Sequence, residues 1–101
     1  MARVLSTKEF DAWEHILPKE YQEQIKEFIK ELKLNPNTGK PLGYPFFREK
    51  KMGKYRVYFL VYEDISTVLL VTVSDKKAQQ DIIDSIKSQL DYYKELIRKN
   101  L

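Results

Sequence analysis

Phe46–Val61, FFREKKMGKYRVYFLV, is the stretch on which the fold turns. A basic run (Arg48, Lys50, Lys51, Lys54, Arg56) feeds directly into an alternating aromatic and β-branched segment. Phe46–Met52 and Lys54–Tyr62 read as two strands joined through Gly53, the second the stronger because Tyr, Val and Phe dominate it. Glu63-Asp64-Ile65-Ser66 then turns into Thr67–Val73, a nearly continuous apolar run typical of a central buried strand. Three strands this close in sequence predict antiparallel hairpins.

Outward from these strands the period changes. Ala2–Leu5 is a short apolar run that suits an edge strand. Ser6 with Glu9 fits a capping box and opens a helix carrying Phe10, Trp13, Ile16 and Leu17. Pro18 interrupts and suits the first position of a second helix, in which Tyr21, Ile25, Phe28, Ile29 and Leu32 share one face. Residues 35–45 hold three of the four prolines and two of the three glycines, which reads as a loop. From about Ala78 to Asn100 the period is helical again (Ile82, Ile86, Leu90, Tyr93, Ile97), so one long helix is expected, its distal stripe projecting past the sheet as a partner surface. The class is α+β: a small twisted antiparallel sheet of about four strands, packed on one face by an N-terminal helical hairpin and a long C-terminal helix.

Length and composition narrow the function. At 101 residues the chain is expected to be a single domain, 1–101, and 43% apolar residues supply a core. The absence of cysteine excludes disulfides and thiolate metal sites and suits the cytoplasm. No apolar run reaches the roughly eighteen residues of a membrane span, and MARVLSTKEF does not read as a signal peptide, so no membrane role is expected. Residues 40–56 carry six basic side chains (Lys40, Arg48, Lys50, Lys51, Lys54, Arg56) against Glu49, a net +5 where the whole chain is +3. Such a focus attracts a polyanion or steers an acidic partner.

Strand alternation puts Tyr55, Val57, Phe59 and Val61 on one face and Arg56, Tyr58, Leu60 and Tyr62 on the other. The first set is the better core face. It leaves Arg56 and Tyr58 on an open one, with Lys50 or Lys51 across the hairpin. A guanidinium, an ammonium and a phenol so placed suit a phosphodiester and a stacked base; equally, the charges can simply solvate an uncovered sheet. Asp75-Lys76-Lys77 follows the central strand, either adding two cations to this patch or forming a wet, capped turn. His15, the single histidine, reads as structural or exposed, and no HExxH, CxxC or Asp-rich loop occurs, so no metal or other cofactor is expected.

The ordered set LPKEYQEQIKEFIKEL, PLGYPFFREKKMGKYRVYFLV and STVLLVTVSDKKAQQDIIDSI resembles the RelE/ParE toxin superfamily of toxin–antitoxin systems over roughly residues 10–90, its HigB-like branch in particular. The resemblance implies a toxin that is a ribosome-dependent, metal-independent endoribonuclease, an mRNA interferase that inhibits translation. In it the substrate's own 2′-hydroxyl attacks the adjacent phosphate. Carried over, Arg56 matches the arginine that contacts the scissile phosphate, Lys51 a basic residue proposed as general base, and Lys76, or Lys77 with a one-residue shift, the residue that stabilises the transition state. Lys40, Arg48, Lys50 and Lys54 would hold RNA backbone phosphates, with Tyr58 as the stacking ring. Glu49 departs from the pattern, standing where the next basic position falls. Ile82 and Ile83 stand where a tyrosine or histidine is often found, for which Tyr58 or Tyr92 would have to substitute. Implied partners are messenger RNA, the ribosome and a cognate antitoxin, acidic or amphipathic, in a toxin–antitoxin hetero-oligomer. The alternatives are a ParE-like gyrase inhibitor and a non-catalytic RNA- or protein-binding module. On an open face, Arg56→Ala is expected to remove cleavage without unfolding the domain.

Overall fold

A computed structural model describes residues 1–100. The elements are β1 (Arg3–Ser6), α1 (Lys8–Ile16), α2 (Lys19–Leu34), β2 (Lys40–Tyr44), β3 (Phe47–Met52), β4 (Tyr55–Tyr62), a 3-10 turn (Glu63–Ile65), β5 (Thr67–Asp75), α3 (Gln79–Ser88) and α4 (Leu90–Lys99). The strands form one sheet in the order β1-β5-β4-β3-β2. β2 through β5 are antiparallel as expected, but β1 runs parallel to β5, Val4 beside Val68, so the sheet is mixed and has five strands.

The expectation of helices on one face is corrected. Both alternating sets of β4 and β5 are apolar apart from Arg56, the terminal Asp75 and a few hydroxyls, so both faces need cover. α1 and α2 cover one face, packing Phe10, Leu17, Ile25, Phe28 and Leu32 on Val57, Phe59, Val61 and Leu70. α3 and α4 cover the other, packing Ile83, Ile86, Tyr93 and Ile97 on Phe47, Tyr58, Leu60 and Leu69. The C-terminal helix is therefore not one rod. It breaks at Gln89, where the Ser88 hydroxyl donates to the Ser85 carbonyl at 2.7 Å, and α4 folds back over the sheet. Tyr93 and Ile97 are buried by it, so the distal stripe is not a free partner surface.

The start of α1 also differs from its expected box. Thr7, not Ser6, is the cap, accepting from the Phe10 amide at 3.0 Å while its hydroxyl donates to the Val71 carbonyl at 2.6 Å. That second bond ties the helix to β5. No helix among the described residues is long and apolar enough to cross a membrane.

Candidate nucleic-acid interface

The β3–β4 hairpin turns through Gly53 and Lys54, which sets the register Met52 to Tyr55, Lys51 to Arg56 and Glu49 to Tyr58. Directly paired residues share a face. Lys51, Arg56 and Glu49 therefore project together, on the α3 side of the sheet. β5 extends the row with Ser74 opposite Arg56, and the exposed Lys76 and Lys77 follow as β5 leaves the sheet. On the far side, exposed Lys40 of β2 is the partner of Glu49. Lys40, Lys51 and Arg56 thus share one sheet face, and Lys76 and Lys77 follow where β5 leaves the sheet at the same end.

The remaining basic residues do not join them. Lys50 pairs with Val57 on the α2 side, its ammonium 5.6 Å from the Phe28 ring centroid. Lys54 sits in the turn, over the Tyr55 ring. Arg48 is drawn into the β2–β3 connection, donating to the Pro45 carbonyl at 2.8 Å and the Gly39 carbonyl at 3.3 Å.

Arg56 does not lie on an open face. Its side chain is 10% exposed and the Glu49 side chain 5%, with Arg56 Nε 3.6 Å from Glu49 Oε2. Gln79, at the start of α3, donates its Nε2 to both Glu49 oxygens at 2.7 and 2.9 Å. Arg56 Nη1 donates to the Tyr55 carbonyl at 3.3 Å. Glu49 thus positions the guanidinium by an ion pair, and a guanidinium carries five N–H donors in all. Neither Glu49's burial nor the part of Gln79 was read from the sequence. One signal was available: a single acid two residues from Lys51, diagonal to Arg56 across a two-residue turn. For Gln79 there was none.

Tyr58 corrects the stacking assignment. It is 0% exposed, and its hydroxyl is 2.8 Å from Ser74 Oγ, whose own proton goes to the Asp75 carbonyl at 2.9 Å. Its ring packs in the α3–α4 core and cannot receive a base. His15 is exposed. No grouping of three or more His, Cys, Asp or Glu that could hold a metal occurs among the described residues.

Burial pushes the Tyr58 and Tyr93 phenols above their ordinary range and Tyr62 from 10.0 up to about 12. A phenol whose folded pKa is raised contributes stability that is complete below the unfolded value near pH 10 and is lost as pH rises through the folded value. The denaturant midpoint is therefore expected to fall between about pH 9 and about pH 11.5, and less steeply in Tyr62→Phe. Parallel curves for the two proteins would refute this.

A mixed five-stranded sheet with helices on both faces and a cationic cluster at one end places the chain in the class of small α+β proteins shaped like the RelE toxins. A mutant of the E. coli toxin RelE, in the free state, superposes with a TM-score of 0.69 at 21% identity, over 84% of this chain and 93% of that one. The toxin–antitoxin complex RelBE2 from Mycobacterium tuberculosis matches with a TM-score of 0.64 at 24% identity, over 74% and 98%. The RelB–RelE antitoxin–toxin complex from Methanococcus jannaschii matches with a TM-score of 0.60 at 25% identity, over 77% and 96%. No curated protein matches in sequence. Residues 7–80 match the family described as "ParE toxin of type II toxin-antitoxin system, parDE". The chain belongs to that family, within the RelE/ParE superfamily of type II toxins.

Proposed function

We propose that this chain, one RelE/ParE-like domain over residues 1–101, is a ribosome-dependent, metal-independent endoribonuclease that acts on messenger RNA in the cytoplasm and is restrained by a cognate antitoxin. The observation that carries the reading is the direct pairing of Lys51 with Arg56 at the strand end from which Lys76 and Lys77 emerge. Lys51 and Arg56 share one sheet face, and two more basic residues follow where β5 leaves the sheet at the same end. Lys51, as general base, takes the proton of a ribose 2′-hydroxyl, whose oxygen attacks the adjacent phosphorus. Arg56, aimed by Glu49, balances the added negative charge on the phosphorane. Lys76 or Lys77 stabilises the departing 5′-oxygen and supplies its proton as the P–O bond breaks. The same cationic end suits an acidic segment of the antitoxin, in a toxin–antitoxin hetero-oligomer.

Lys51 is exposed, so Lys51→Ala is expected to fold as wild type and to cut ribosome-bound messenger RNA at least about a hundredfold more slowly, read by primer extension after induction. Wild-type cutting by Lys51→Ala would remove Lys51 from the mechanism. A second reading, gyrase inhibition, is favoured by the ParE description of the matching family and by Glu49 engaging Arg56. It predicts blocked supercoiling by purified gyrase and intact transcripts.

A further inference from the structure

The β2–β3 turn carries a pair of side chains that neither the core nor the cationic cluster uses. Tyr44 and Phe46 flank Pro45 at the tip of the hairpin, 41% and 37% exposed. Their rings are stacked, with centroids 4.9 Å apart and planes 28° from parallel. Lys87 of α3 holds its ammonium 6.0 Å from the Tyr44 centroid. A tight turn ordinarily takes Gly, Asn, Asp or Ser, so a solvent-facing phenylalanine there has no local backbone reason. Its ring leaves apolar area exposed.

The pair is aligned with the candidate catalytic end. Tyr44 is the register partner of Phe47, which shares a face with Glu49 and Lys51. Phe47 precedes Lys51 by four residues of β3, about 13 Å of strand. α3 spans the same interval, from Gln79 on Glu49 to Lys87 on Tyr44, a rise of about 12 Å. Lys40, on the exposed edge strand opposite Glu49, is the member of the basic cluster nearest the pair. The surface therefore reads as a track: basic residues at one end, with Lys40 the nearest of them to the step, and an aromatic step with its own lysine at the other.

Building on the ribonuclease reading above, we infer that Tyr44 and Phe46, with Lys87, form a stacking subsite for an unpaired base that flanks the cleaved phosphate. The offset is too long for the nucleotide being cut, so the subsite holds a neighbour and fixes the register of the strand. Aromatic stacking accepts every base face, and the nearby ammonium meets that nucleotide's phosphate. RNA is favoured over a peptide because the step is stacked, flanked by Lys87 and Lys40, and continuous with the cationic end. The apolar groove on the other side of Phe46, lined by Tyr62, Ile65 and Leu90, is the place a peptide would prefer.

The test measures fluorescence anisotropy of a labelled single-stranded oligoribonucleotide, 2′-O-methylated so that it cannot be cut, alongside cleavage on ribosomes. Tyr44→Ala/Phe46→Ala is expected to keep the wild-type denaturant midpoint and to lose about tenfold or more in RNA affinity. Tyr44→Phe retains a ring and should bind as wild type. Lys87→Gln should lower the salt dependence of binding by about one phosphate contact. If the double variant binds RNA as wild type while both still cut messages, the subsite is wrong and the ribonuclease reading stands. A wild-type protein that neither binds RNA nor cuts messages overturns both. Unchanged RNA affinity with lost neutralisation by the cognate antitoxin would assign the aromatic pair to that protein, again overturning the subsite.

Discussion

Arg56→Ala is expected to lower the stability of the domain by about 3 kcal/mol and its thermal midpoint by on the order of 10–20 °C. A loss of activity in Arg56→Ala would then reflect a smaller amount of folded protein as well as any part Arg56 takes in chemistry. The reason is Glu49, whose side chain is 5% exposed and faces Arg56 across the hairpin. Removing the guanidinium leaves a buried carboxylate with Gln79 as its remaining side-chain partner. An unpaired buried charge costs more than the pair itself contributes. Glu49→Gln/Arg56→Met should therefore be more stable than Arg56→Ala, and the two single changes should sum to more than the double. Melts of Arg56→Ala that coincide with wild type would show that the pair is solvated and that the variant is a clean probe of chemistry after all. As matters stand, exposed Lys51 is the better probe.

The expectation that Arg56→Ala leaves the fold intact rests on strand alternation, which puts Arg56 opposite the better core face. Alternation along Lys54–Tyr62 was legible, as was the turn at Gly53, and together they put Lys51 beside Arg56. What alternation could not show is that α3 and α4 cover the Arg56 face. Leu60, Tyr62, Leu69 and Val71 signalled apolar area on that side, but the helix pattern from Ala78 to Asn100 reads as one rod, too straight to wrap a second face. Neither Pro nor Gly marks the break at Gln89. β2 was hidden for the opposite reason. Its Lys40–Tyr44 segment contains Pro41 and Gly43 and pairs irregularly with β3, so local turn signals outweighed a strand that only its partner stabilises. The parallel pairing of β1 with β5 is a tertiary choice with no local signature. Of the candidate RNA contacts, Lys40 joins the cluster because β2 exists, whereas Lys50 and Tyr58 fall away because parity and burial separate them from it.

Gly39→Ala is expected to damage both stability and the candidate site, from a position outside every strand. Gly39 has φ +79, and a Cβ there would lie 2.6 Å from the Glu49 carbonyl oxygen and 3.1 Å from Phe59 Cζ. A left-handed conformation costs an L-residue roughly 1–2 kcal/mol, and forcing atoms into a packed contact typically about 1–3 kcal/mol more. The sum, about 3 kcal/mol, rivals that of Arg56→Ala. The neighbour that must yield is the backbone of β3 at Glu49, the residue that aims Arg56 and receives Gln79. Displacing it pulls the carboxylate from the guanidinium, so the two changes act on one element. Gly39→Ala and Arg56→Ala should then be less than additive in denaturant unfolding, with a shortfall above about 0.5 kcal/mol. Independent, additive effects would show that the loop adjusts without moving Glu49. A Gly39→Ala protein as stable as wild type would mean that the strand edge gives way freely at this point, and that Glu49 is fixed from the Gln79 side alone.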